Sequence, residues 1–208
     1  MDGAARIQWP DDDQPPPRPD WRDTLTAATD LAVFGFVVVA AALPVVTIGA
    51  ALATGSYGAR WWVGHRGFPP FADLGRRYLR ALLPGVAALA AVLLAGLLVV
   101  FDLSALARGA VPGGTVLVVA TWVVVLWLLA VVVLTVVELG REPDRGWLAA
   151  VRWAVGITRS APLRAVAPTA VCLLAGALAL MVPVTAPLVL GYGLFAMHVV
   201  ADRVLPAD

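Results

Sequence analysis

The chain has 208 residues, of which 61% are hydrophobic, with a net charge of +1 and a mean hydropathy of +0.86. Soluble domains contain about 45–50% apolar residues, so this composition excludes an ordinary soluble domain and predicts an integral membrane protein. The near-neutral charge gives no indication of nucleic-acid binding, and the single Cys172 excludes an internal disulfide.

The chain begins with an acidic, proline-rich segment that contains DDDQPPPRPD. Low hydrophobicity and frequent proline are typical of disordered segments. We therefore predict a disordered tail over residues 1–24, followed by one helical membrane domain over residues 25–205.

About five stretches of this domain are long and apolar enough to cross a bilayer as helices, which takes about 20 residues. We predict spans near 31–53, 81–101, 116–137, 165–182 and 184–200. The last two come from a run over 165–200 without formal charge, which as one helix would measure about 54 Å against about 30 Å of hydrocarbon. The prolines of VPVTAP in this run favour two short spans joined by a tight turn. One span plus a re-entrant or interfacial segment is the alternative.

The first predicted span contains an unusual sequence, LPVVTIGA, in its second half. Pro44 removes a backbone donor and kinks a helix. The hydroxyl of Thr47 can bond a carbonyl one turn earlier, and Gly49 allows close packing of another helix. We expect a bent, tightly packed span. Broken helices also line transport sites, so a substrate or gating element is the alternative.

Two segments between the predicted spans are rich in arginine and have an apolar face. The apolar residues are Phe71, Leu74, Tyr78 and Leu82 in the first segment and Trp147, Val151, Ala154, Val155 and Thr158 in the second. The basic residues opposite them are Arg76, Arg77 and Arg80 in the first segment and Arg145, Arg152 and Arg159 in the second. We predict amphipathic interfacial helices near 71–82 and 145–160. Their arginines would attract anionic lipid, at about 1 kcal/mol each, or dock a partner.

Arginine content also predicts the orientation of the chain, because cytoplasmic loops carry an excess of basic residues. Both arginine-rich segments are expected in the cytoplasm. With five spans, the N-terminus would then lie outside and the C-terminus in the cytoplasm, although Arg18 and Arg22 of the tail oppose this orientation.

The order of predicted elements suggests an internal duplication. Each half of the chain reads as a span, an arginine helix and a second span, and the offset between corresponding elements is about 50 residues.

Residues 30–85 resemble a known family. The similarity rests on LPVVTIGA at 43–50, Tyr57, and the later Phe71, Arg76, Arg77 and Leu82, and it is to the YesL-like family of small bacterial multipass membrane proteins (domain of unknown function 624). Members are often encoded beside components of ABC-type carbohydrate uptake systems. The resemblance therefore implies an accessory role in carbohydrate uptake, with sugar permease components as partners, and it assigns no catalytic residue.

The sequence contains no recognisable catalytic, cofactor or metal motif. It has neither a P-loop nor HExxH, and His65 and His198 have no ligand at metal-binding spacing. We interpret Gly55-Ser56-Tyr57-Gly58 as a flexible turn and not as a nucleophile elbow. We therefore predict that the protein is not an enzyme and uses no cofactor.

A few charged groups near the membrane remain as candidates for function. His198 and Asp202 lie four residues apart, share a helix face and form a candidate polar pair. Asp102 and Glu138 are expected at span ends as ordinary interfacial charges. Since no acidic or histidine residue falls at the centre of a predicted span, a proton-driven transporter is disfavoured.

These observations predict an all-α, polytopic helix bundle in the bacterial inner membrane, with the lipid bilayer as its first partner. The favoured function is a non-enzymatic accessory component of carbohydrate uptake. The alternative is a small transporter in its own right, with a site at the broken first and last spans. The sequence leaves a homo-oligomer open.

Overall fold

The computed structural model describes residues 21–108 and 114–205, and every regular element in these ranges is helical. The helices are α1 (Trp21–Ala42), α2 (Ile48–His65), α3 (Phe71–Ala107), α4 (Gly114–Arg141), α5 (Trp147–Ser160), α6 (Pro162–Met181) and α7 (Ala186–Val204). Short 3₁₀ turns at Val45–Thr47 and Pro183–Thr185 precede α2 and α7. Most of the predicted tail lies outside the described residues, but residues 21–24 belong to α1.

Five helical segments are long and apolar enough to cross a membrane. They are Trp21–Ala42, Phe71–Ala107, Gly114–Arg141, Pro162–Met181 and Pro183–Val204. The predicted class, an all-α polytopic membrane bundle with about five spans, is confirmed. The spans predicted near 81–101, 116–137 and 184–200 each fall within one of these segments, and the span predicted near 165–182 ends one residue after Met181. VPVTAP forms the expected turn between the last two segments.

The first span differs from the prediction, because LPVVTIGA ends a helix where a kink was expected. α1 stops at Ala42 and α2 starts at Ile48. Pro44 offers no backbone donor, and the Thr47 hydroxyl lies 2.7 Å from the carbonyl of Ala41 and 2.6 Å from that of Pro44. The single proton of this hydroxyl can be donated to one of these two carbonyls at the break. The single span predicted over 31–53 is therefore wrong.

α2 folds back along α1 and becomes the central helix of the bundle. Gly58 of α2 lies against the ring of Phe34, and Gly55 lies against Val38, so α1 and α2 are antiparallel. Half of α2 is buried, including Ala50, Ala59 and Trp62. Because protein surrounds α2, it does not need the apolar surface of a lipid-facing helix.

Small residues allow α2 and α3 to pack closely. Gly49 lies against Gly85, where an added Cβ would be 2.3 Å from a backbone oxygen, and Ala81 packs on the cluster around Ala53. One turn further along α2, the guanidinium of Arg77 lies 4.0 Å from the centre of the Tyr57 ring. Residues four apart on each helix thus meet in antiparallel order, as small-residue interfaces in membranes do.

The same kind of contact joins α1 to α7. Gly35 and Gly191 lie against the backbone of the opposite helix. The Tyr192 hydroxyl donates to the carbonyl of Ala28 over 2.9 Å. α7 is therefore antiparallel to α1 and parallel to α2, which places the C-terminal half of α7 beside the C-terminal half of α2.

The two predicted interfacial helices have different outcomes. Residues 71–82 are the first turns of the long α3, which continues through Pro84. The second helix is separate, since α5 covers Trp147–Ser160, and it buries Ala150, Ala154 and Thr158. The two halves of the chain therefore do not repeat the predicted order of span, arginine helix and span element by element.

Candidate functional site

A cluster of buried polar groups lies where α2, α4 and α7 meet. Ser56, Glu138 and His198 each have 0% of their surface exposed. Buried polar groups in a membrane bundle are costly unless they are paired, and they often mark function. This cluster is therefore the candidate site.

Ser56 and His198 form the centre of the cluster. The Ser56 hydroxyl donates to the carbonyl of Val136 over 2.6 Å, and Ser56 Oγ lies 2.8 Å from His198 Nε2. A carbonyl can only accept, so the hydroxyl proton points to Val136 and the Nε2–H of His198 donates to Ser56 Oγ. His198 Nδ1 is buried and has no hydrogen-bond partner among the described residues.

This pattern argues against a catalytic serine. A nucleophilic serine passes its proton to the histidine, whereas here the hydroxyl donates to a backbone carbonyl. The sequence interpretation of residues 55–58 as a flexible turn is also wrong, because they lie in the middle of α2. Gly55 and Gly58 serve helix packing, since an added Cβ would contact Val38 or Phe34.

Two ion pairs flank this centre. Arg60 of α2 pairs with Asp202 of α7, and Arg145 pairs with the fully buried Glu138 of α4. The predicted pair of His198 with Asp202 does not form. Because α2 runs parallel to α7, the two residues on one face of α7 bond instead to Ser56 and Arg60, which lie four apart on α2.

Gly140 makes the close approach of these side chains feasible. A Cβ at this position would lie 2.5 Å from Ser56 Oγ and 2.7 Å from His198 Cε1. Only a residue without a side chain leaves both groups where they are. The cluster thus uses a glycine of α4 as well as the polar residues of α2 and α7.

The sequence had placed Glu138 at a span end as an ordinary interfacial charge. The structure buries it completely, because α4 continues to Arg141 while α2 and the segment before α5 cover this last turn. The spacing of seven residues between Glu138 and Arg145 was the available signal, but it does not show which helix covers the carboxylate.

The six predicted docking arginines divide into two groups. Arg77 lies over Tyr57 and donates to the carbonyl of Pro143 over 3.3 Å, and Arg145 pairs with Glu138. These two arginines stabilise the fold. The other four are exposed: Arg76, Arg80, Arg152 and Arg159. Phe71, assigned to the apolar face, is 81% exposed.

Two of the cavities between the helices are apolar. One of about 320 Å³ lies among α4, α6 and α7 and is lined by residues such as Val133, Cys172 and Leu190. Another of about 440 Å³ lies between α3, α4 and α5. Neither is lined by a charged residue, so neither provides a polar path for a hydrophilic solute.

Within residues 21–108 and 114–205, no group of three or more His, Cys, Asp or Glu side chains could hold a metal ion.

In comparisons of this chain with family models, curated proteins and solved structures, nothing matches. The resemblance to the YesL-like family therefore stays a prediction.

Proposed function

We propose that this chain is a non-enzymatic, multipass subunit of the bacterial inner membrane that docks a partner through exposed arginines at its cytoplasmic end. We call Arg76, Arg80, Arg152 and Arg159 the arginine surface. The observation that carries the proposal is their exposure without any ion pair or hydrogen bond to the described residues, while Arg77 and Arg145 are bonded within the fold.

Contacts between the two basic segments support a shared surface. Arg77 at the start of α3 donates to Pro143, in the connection before α5. Ala81 of α3 also packs in one cluster with Trp147 and Ala150 of α5. The arginines of α3 and of α5 therefore lie on adjacent elements, and together they suit a partner with an acidic surface.

The resemblance to the YesL-like family supplies the more specific form of this proposal. In that form, the partner is a permease component of an ABC-type carbohydrate uptake system. The two cavities between the helices that are lined by apolar residues favour this accessory role over transport through them, since a sugar needs polar groups along its path.

We propose an orientation with both termini in the cytoplasm, in place of the predicted outside N-terminus. Two features support it. Thr24 near the start of α1 and Arg66 after the end of α2 line the same cavity, so both ends of the α1–α2 pair lie together. Arg22 then also lies on the basic side, as the positive-inside rule expects.

The docking proposal is tested by co-purification from the native host grown on polysaccharide. A tagged chain in mild detergent should retain a permease or its ATPase in stoichiometric amount. In the fourfold variant of the arginine surface, Arg76, Arg80, Arg152 and Arg159 are all changed to Gln. The amount of partner recovered with this variant should fall at least about tenfold, while the abundance of the variant chain in the membrane stays unchanged. Arg108→Gln is the control, since it changes an exposed arginine in a different loop.

Two outcomes would contradict docking through these residues. If the fourfold variant keeps its partner, the arginines do not contact it. If its abundance falls instead, the arginines anchor the chain to anionic lipid. Recovery of this chain alone, as a monomer or a homo-oligomer, would favour the second candidate function below.

The second candidate is a small transporter, favoured by the buried Glu138 and His198 in a membrane bundle and by the two helix breaks. Against it, Glu138 pairs with Arg145 and the breaks expose apolar side chains. Purified protein in liposomes decides between the two functions. Uptake of a labelled sugar without other proteins would establish transport and overturn the accessory role.

A further inference from the structure

Arg66 ends α2 in a backbone conformation that is unusual for an arginine. Its φ is 54° and its ψ is 30°, and among the described residues other than glycine it alone has a positive φ. A left-handed residue at the end of a helix is usually glycine, because a Cβ crowds the following carbonyl there. Gly67 follows directly, yet the arginine takes the strained position. Strain of this kind clusters at functional sites, which makes Arg66 a candidate binding residue.

The side chain of Arg66 lines a cavity of about 360 Å³ between the start of α1, the end of α2 and the face of α7 opposite them. Leu31 and Trp62 are its most buried walls, since they are 3% and 4% exposed. The ring of Phe195 meets that of Trp62 edge-on, with 5.3 Å between the ring centres. Among the described residues that line the cavity, none is a carboxylate and Arg66 carries the one formal charge. Apolar and aromatic walls thus adjoin a single cation.

The fold leaves part of the polar groups of this cavity without an acceptor. The Tyr192 hydroxyl is used, because it donates to the carbonyl of Ala28 over 2.9 Å. The indole N–H of Trp62 is buried and has no hydrogen-bond partner among the described residues. The guanidinium of Arg66 is exposed, lies 5.7 Å from the centre of the Trp62 ring and makes no ion pair or hydrogen bond with the described residues. A cation therefore stands at the mouth of the cavity without an anion.

The cavity lies at the level where the helices change from polar to apolar sequence. Asp30 is the last charged residue of α1, and no polar side chain follows from Leu31 to Ala42. On α7, Arg203 comes one turn after Val199 on the same helix face and is exposed. In a membrane, this level is the boundary between lipid headgroups and acyl chains.

We propose that this cavity binds one anionic phospholipid. The guanidinium of Arg66 pairs with the phosphate, since arginine offers phosphate oxygens two parallel N–H donors. The glycerol end of one acyl chain lies along the apolar walls at Leu31, Phe195 and Val199. A free phosphate ion would match the arginine but not these walls, whereas a phospholipid matches both.

The charge around the cavity favours an anionic headgroup over a zwitterionic one. Arg203 adds a second cation at the same end of α7 as the cavity mouth, and basic pockets between membrane helices bind anionic headgroups. Neither Arg66 nor Arg203 belongs to the arginine surface. The lipid site therefore does not depend on the docking proposal.

Native mass spectrometry of the purified chain in an uncharged detergent tests this site. Phosphatidylglycerol is the probe, and phosphatidylcholine with the same acyl chains is the comparison lipid. We expect one phosphatidylglycerol per chain at lipid concentrations at which phosphatidylcholine is not retained. Arg66→Gly should weaken phosphatidylglycerol binding at least about tenfold, as the loss of a hydrogen bond to a charged group does. Glycine adopts the left-handed conformation without strain, so this variant should fold. Arg152→Gln, which removes an exposed arginine of α5, should bind as the unchanged chain does.

A second variant tests the apolar part of the site. Ala27 lines the cavity, so Ala27→Leu should fill part of it and weaken phosphatidylglycerol binding while Arg66 is still present. Unchanged binding by Arg66→Gly or by Ala27→Leu would overturn the proposal, and so would equal retention of the two lipids by the unchanged chain. If inorganic phosphate raises the unfolding temperature as much as phosphatidylglycerol does, the cavity binds a free anion and the lipid proposal is wrong.

Discussion

At the residue scale, the polar cluster joins α2, α4 and α7 through the buried residues Ser56, Val136 and His198. The cluster contains three polar contacts: His198 donates to Ser56, Ser56 donates to the carbonyl of Val136, and Glu138 accepts from Arg145. Breaking such a contact leaves a buried polar group unsatisfied, which costs about 1–3 kcal/mol, and more for a charge. The cluster therefore fixes how α2, α4 and α7 pack.

Gly140→Ala tests the packing of this cluster. The added methyl would clash with Ser56 Oγ and the His198 ring, so either the hydrogen bond or the helix contact must give way. We expect a loss of about 1–3 kcal/mol of stability, measured as a lower thermal unfolding temperature in detergent. Gly156→Ala in α5 is the matched control, because nothing lies within 4 Å of its new Cβ, and it should be neutral or stabilising. Equal behaviour of the two variants would rule out the proposed tight packing at Gly140.

The sequence indicated only part of this cluster, because burial depends on helix pairing. His198 and Asp202 were identified from their spacing on one helix, yet their partners come from α2, which the sequence did not separate from the first span. Ser56 sits among glycines and reads locally as a turn. Its role appears only when α2 is placed between α4 and α7.

At the element scale, helix existence was predictable and helix connection was less so. The lengths of the apolar runs predicted α3, α4, α6 and α7, because the thickness of the hydrocarbon layer sets the minimum length of a membrane span. α2 has lower hydropathy than a lipid-facing span because protein covers it, so a hydropathy argument merged its start with α1. Pro44 was correctly identified as a disruption, but its result, a bend or a reversal, depends on the packing of α2 against α1 and α3.

A substitution pair on α3 tests the α2–α3 contact. At Gly85, a Cβ would lie 2.7 Å from the backbone nitrogen of Ala50, so Gly85→Leu should separate the two helices and strongly reduce folded protein in the membrane. Gly96→Leu lies on the same helix with nothing within 4 Å, and it should be tolerated. The measurement is the amount of monodisperse protein extracted in mild detergent. Similar yields of both variants would show that α2 and α3 do not pack through this glycine.

At the scale of the whole molecule, the reversal between α1 and α2 changes the count of helices that enter the membrane. A single first span gives an odd number of crossings and opposite sides for the two termini. With α1 and α2 antiparallel, the helices entering the membrane are paired as α1–α2, α3–α4 and α6–α7. Each pair returns the chain to the side from which it started, whether its turn lies in lipid or in water.

Paired helices therefore predict that both termini lie on the same side of the membrane. A short epitope tag would be placed before Trp21, after Leu205 or directly after Arg108, and protease added to spheroplasts and to opened cells. We expect the two terminal tags to be cut only in opened cells, because they share the cytoplasmic side with the arginine surface. The tag after Arg108 should be cut in intact spheroplasts, because α3 carries it across the bilayer. Cleavage of the N-terminal tag in intact spheroplasts, with the C-terminal tag protected, would restore a single first span and contradict the antiparallel α1–α2 pair.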